Sequence, residues 1–108
     1  MKLPRADDVQ IPRRKLEGYL LSSTHPAGRF KARFFRALGF DGVDQLERAL
    51  RELAGSGTIS AEVPTTFGRK YLVDGLLETP RGTQVALRTV WIQERETEAP
   101  RLVTAYPW

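Results

Sequence analysis

The hydrophobic pattern of the chain changes once, near residue 57. Ahead of it, apolar residues recur at helical spacing; beyond it, short β-rich segments are separated by turn residues. In "PRRKLEGYLLSS", Pro12 suits a first helical position, and Leu16, Tyr19 and Leu20 fall on one stripe. Ser22 to Thr24 break that helix. A second is expected with Pro26 at an early position, Phe30, Phe34 and Leu38 recurring along it, and Gly39 as its stop. This spacing puts Phe30, Phe34 and Phe35 in the core. A third helix covers "GVDQLERALRELAG", capped by Asp41, with Leu46, Leu50 and Leu53 inward and Gly55 and Gly57 at its end. Glu47 with Arg51, and Arg48 with Glu52, form exposed pairs on it.

The segments "TISAEVP", "GRKYLVDGLL", "TQVALRTVWIQ" and "RLVTAYP" read as strands, and the "PRG" turn at 80–82 as a hairpin connection. Short links imply an antiparallel meander. The expectation is one α+β domain over 1–108: an irregular stretch at 1–10, about three helices in 11–55, and a four-stranded antiparallel β-sheet in 58–107. In the third strand Arg88 shares a face with Ala86, Val90 and Ile92, while Leu87, Thr89 and Trp91 share the other. Both faces are largely apolar, so this strand is central. An arginine there needs a partner, and Asp74 and Glu62 are the carboxylates to supply one.

Composition narrows the chemistry. The chain has 108 residues, 41% hydrophobic and 28% charged, with no cysteine and one histidine. No disulfide, thiolate chemistry or cysteine zinc site is possible, no cofactor or metal is expected, and a bacterial-type cytosol is the default. No apolar run approaches the roughly 18 residues of a membrane helix, and "MKLPRADDVQ" does not read as a secretory signal. Net charge is +4, carried mostly by arginine, with Lys2, Lys15, Lys31 and Lys70 the lysines. Guanidinium groups grip phosphate bidentately, so RNA becomes a candidate partner.

The inventory permits one metal-free reaction. Cleaving RNA through its own 2′-hydroxyl needs a proton acceptor, cations around the phosphorane, and a proton donor for the leaving 5′-oxygen. His25, Lys31, Arg88, Thr104 and Tyr106 are the residues that could serve, but each has a plainer role. His25 could cap the second helix, Lys31 could be a solvated charge, Arg88 a structural ion pair, and Thr104 and Tyr106 ordinary strand formers. Trp91 suits the core and Trp108 could stack on a base.

The segments "IPRRKLEGYLL", "HPAGRFKARFFRALGF", "FGRKYLVDGLL", "LRTVWI" and "PRLVTAYP", in that order, resemble a small bacterial family known as a domain of unknown function. Its members occur as standalone proteins and as carboxy-terminal modules of large polymorphic toxins. Met1 falls just ahead of the matching stretch, so delivery between cells by a large toxin body is not implied. The layout is similar to the barnase–EndoU–colicin–RelE superfamily of metal-independent ribonucleases. The resemblance implies a ribonuclease toxin, often encoded beside a small antitoxin or immunity-like protein. His25 and Lys31 match its helix motif, Gly68 and Tyr71 its second strand, Arg88 and Thr89 its third, and Thr104 and Tyr106 its last. Arg29, Arg33, Lys70, Tyr71 and Thr89 would then contact substrate. Two other readings stay open: a non-catalytic nucleic-acid- or protein-binding module, and a sheet used for dimerisation. Catalysis requires His25, Lys31, Arg88 and Thr104 to converge; a binding module spreads its cations over a face.

Overall fold

A computed structural model describes residues 1–108. A 3-10 turn (Ala6–Asp8) precedes three helices: α1 (Arg13–Lys15, continuing as a π-helical turn, Leu16–Leu20), α2 (Arg29–Ala37) and α3 (Val43–Ser56). Four strands follow, β1 (Thr58–Thr65), β2 (Gly68–Glu78), β3 (Gln84–Gln93) and β4 (Arg101–Pro107). They pair antiparallel in the order β1-β2-β3-β4, the meander and α+β layout expected from the pattern. β3 is central, flanked by β2 and β4.

The sheet's two faces differ. Leu87, Thr89 and Trp91 of β3 are fully buried and meet the helices, together with Val73 and Leu77 of β2 and Leu102 and Ala105 of β4. Leu16, Leu20, Phe35, Leu46, Leu50 and Leu53 supply the helical half of that core. Each such side chain contributes about 1.5–3 kcal/mol by leaving water. The irregular first ten residues belong to it too, because Leu3 and Val9 are buried. Gln10 then bridges to Arg101, covering the start of the β4 edge.

Two expectations for the helices change. α2 begins at Arg29 rather than near Pro26, because the chain from His25 to Gly28 forms a turn. Its inward face is Ala32 and Phe35, whose ring packs edge-on against Phe40, so Phe30 points to solvent and is 60% exposed. Periodicity identified the helix; contact with the π-helical turn of α1 set its rotation. Asp41 does not cap α3, since Gly42 occupies that position and the Asp41 amide donates instead to Gln45 Oε1. Gly39 ends α2 as anticipated, at φ 103°, a conformation that favours glycine.

Candidate functional site

The site is built along β4, an edge strand. Its edge would expose unpaired backbone groups, and side chains from the helices cover part of it. Lys31 Nζ donates to the Ala105 carbonyl at 3.2 Å. One residue earlier, the Tyr19 hydroxyl bonds Thr104 Oγ1 at 3.1 Å. Between Leu102 and Thr104 the ladder to β3 shifts register, leaving Val103 as the extra residue of a bulge. Bulges re-aim side chains, and this one turns Leu102 into the core beside Ala105, while Thr104, two residues before Tyr106, keeps the face of Tyr106 and Arg88.

Tyr19 links the parts. It lies in the π-helical turn, a helix form found disproportionately at functional sites. Its ring meets the His25 imidazole edge-on, centroids 5.1 Å apart. Lys15 Nζ and Lys31 Nζ stand 5.7 and 5.9 Å from the same ring, and Lys31 is also 5.1 Å from the Tyr106 ring. These are cation–π distances. The two lysines therefore share one ring, and neither is ion-paired to a carboxylate.

His25 is held by its own loop. Ser22 Oγ accepts the His25 amide at 3.2 Å, and His25 Nδ1 accepts the amides of Ala27 at 3.0 Å and Gly28 at 2.9 Å. Two N–H groups aimed at Nδ1 put the ring proton on Nε2, so the free nitrogen is a donor. Gly28 makes the turn possible: any side chain there would run into the Tyr19 carbonyl.

Arg88 sits on the open face, directly opposite Tyr106 in the β3–β4 pairing. Its Nε and one terminal nitrogen donate to the two Asp74 carboxylate oxygens at 2.7 and 2.8 Å. That fork raises the arginine pKa and holds the Asp74 carboxyl below its ordinary range. Trp108 lies over the guanidinium at 5.3 Å. Tyr106, opposite Arg88 on β4, also bears on the guanidinium, through its hydroxyl.

A shallow hollow of about 560 Å³ opens beside these groups, lined by Arg14, Lys15, Gly18, Tyr19, His25, Val103 and Thr104. It is basic and has no carboxylate in its wall. Four other hollows each include at least one. The expected residues thus fall into four groups, the last of them in the core. His25 and Thr104 line the hollow, while Lys31, Tyr106 and Arg88 follow from it along β4 through successive contacts. Arg29 and Arg33 are exposed on α2, and Lys70 lies in a neighbouring hollow that shares Val103.

Tyr71 and Thr89, expected at the substrate, lie apart from the hollow. Both face the helices inside the core. Tyr71 donates to Gln93 Oε1, and burial pushes its phenol pKa upward. Thr89 accepts from Trp91 Nε1 at 2.8 Å and donates to the Val73 carbonyl at 3.0 Å. Tyr19, Arg14 and Lys15 are the lining residues that sequence reasoning missed. The basic run ahead of Leu16 was a signal; Tyr19 carried none beyond its place on an apolar stripe.

The chain belongs to a family described as Domain of unknown function (DUF6883), which it matches over residues 2–108. No curated protein matches its sequence. Among solved structures, a chain of the "Contact-dependent growth inhibition toxin - immunity protein complex from Klebsiella pneumoniae 342" is similar, with a TM-score of 0.72 over 90% of this chain and 91% of that one. Identity is 14%, so the likeness is one of fold.

Proposed function

We propose that this chain is a toxin-like domain that cleaves RNA without a metal, by attack of the 2′-hydroxyl on the adjacent phosphate. The observation that carries the reading is the carboxylate-free basic hollow beside β4, continuous through Tyr19 with Lys31, Tyr106 and Arg88. A phosphodiester entering it meets two cations, two hydroxyls and an imidazole, with no carboxylate in the wall. Lys31 and Lys15 hold the non-bridging oxygens, where charge grows as the phosphorane forms, with Arg88 adding its positive charge from beside Tyr106. Thr104 and Tyr19 orient the phosphate. The bond from the 2′-oxygen to phosphorus forms as the bond to the 5′-oxygen breaks, leaving a 2′,3′-cyclic phosphate. His25 Nε2–H donates a hydrogen bond to the leaving 5′-oxygen, which takes its proton from water, while the Tyr106 hydroxyl accepts the 2′-hydroxyl proton as it passes its own to water.

The fold likeness to a chain of a toxin–immunity complex supports a toxin-like role, and a small antitoxin or immunity-like protein is the partner it suggests. Such a domain acts where RNA is, in the cytoplasm. The test is incubation of purified protein with total RNA in chelator, beside Lys31→Ala and Arg88→Ala. Fragments ending in cyclic phosphate are expected from the wild type alone, and expression should slow growth. Intact RNA together with unaffected growth would sink the reading.

A further inference from the structure

Phe30 is a large apolar ring left in water at 60% exposure, on the first turn of α2. It is not isolated. The Arg29 guanidinium lies 5.0 Å from its centroid and that of Arg33 6.0 Å. Lys31, the next residue, is turned about 100° around the helix axis and reaches the β4 edge. The turn that starts α2 also carries His25, whose carbonyl accepts the Arg29 amide at 2.9 Å.

We infer that Phe30, flanked by Arg29 and Arg33, is a stacking platform for an unpaired base of single-stranded RNA next to the phosphate held at Lys31. This rests on the ribonuclease reading and adds a substrate subsite to it. An aromatic face with adjacent guanidinium groups suits a base and its phosphate together: the ring takes the base, the arginines the flanking backbone. A protein partner seeking an apolar anchor would meet two cations beside it. Helix packing does not use Phe30, since Ala32 and Phe35 supply the inward contacts.

The test uses fluorescein-labelled single-stranded 2′-O-methyl RNA, which cannot be cleaved through its sugar, and an abasic oligomer of equal length. Affinity is read by anisotropy. Phe30→Ala should weaken the base-bearing oligomer roughly tenfold or more, the range of one base–aromatic stack. The abasic oligomer should bind both proteins alike, and Phe30→Trp should restore the lost affinity. The inference is overturned if Phe30→Ala binds the base-bearing oligomer like wild type, or weakens both oligomers equally. It is also overturned if Phe30→Ala spares RNA but abolishes binding of a protein partner. Failure of the wild type to bind either oligomer removes the ribonuclease reading and the stacking platform together; binding that is indifferent to Phe30 removes the platform alone.

Discussion

The guanidinium of Arg88 and the carboxylate of Asp74 form a two-toothed ion pair across β2 and β3, at 2.7 and 2.8 Å, on the sheet face away from the helices. Their side chains are 28% and 11% exposed. The pair explains how an arginine is accommodated in a central strand. It also fixes the guanidinium plane, leaving one nitrogen to reach toward Tyr106 and β4.

That pair makes stability sensitive to acid. The hydrogen bond from Arg88 is the largest influence lowering the Asp74 pKa, with Ser60 and the arginine charge adding to it against desolvation. A depressed carboxyl pKa stabilises the fold above the unfolded value, about 3.9, and that contribution is lost as pH falls through the folded value. The wild-type melting temperature should therefore fall more steeply below about pH 4 than that of Asp74→Asn. Parallel curves for the two proteins would show that the pair does not couple to folding.

His25 has a structural duty that can be separated from a chemical one. His25→Ala leaves the Ala27 and Gly28 amides without their acceptor and should cost about 0.5–2 kcal/mol, as loss of a helix cap does. His25→Asn offers an oxygen in place of Nδ1, as asparagine does in turns, and should melt close to wild type. RNA cleavage should be lost in both. If His25→Asn cleaves like wild type, the imidazole serves the turn alone.

Lys31→Met keeps the aliphatic stem and removes the charge. One hydrogen bond to Ala105 is lost, worth about 1 kcal/mol or less. Cleavage should drop on the order of 100- to 1,000-fold, as when a donor to a developing oxyanion is removed. The salt dependence of RNA binding should weaken by about one phosphate contact. Retention of the full salt slope would argue against a phosphate at this ammonium.

Thr89 gives the opposite pattern. Thr89→Val removes the acceptor of the buried Trp91 N–H, which should cost about 1–3 kcal/mol. Thermal melting should report that loss, while RNA affinity of the folded variant should be unchanged. A specific loss of RNA binding at constant stability would place Thr89 at the substrate despite its burial.

The pattern of side chains along the chain sufficed for element types and their order, because helices and strands advertise their period locally. The three helices, the turns at Gly39 and Gly82, the four strands and the centrality of β3 all follow from it. Arg88 was legible for a similar reason: a charge amid apolar strand residues must find a partner, and Asp74 is the one it has.

Which way each element faces depended on packing. Periodicity gave α2 an apolar stripe, and contact with the π-helical turn and Phe40 chose Ala32 and Phe35 over Phe30. Tyr71 and Thr89 alternate along their strands like the residues beside them, and the helices happened to cover their side of the sheet. Tyr19, 85 positions from Thr104, joins it by a hydrogen bond that no local signal encodes. Short-range periodicity is written into neighbouring residues, so the sequence by itself determined the α+β order and the candidate chemistry. Rotation of the helices and the choice of covered face arise from contacts between distant segments, and only the tertiary structure decided those.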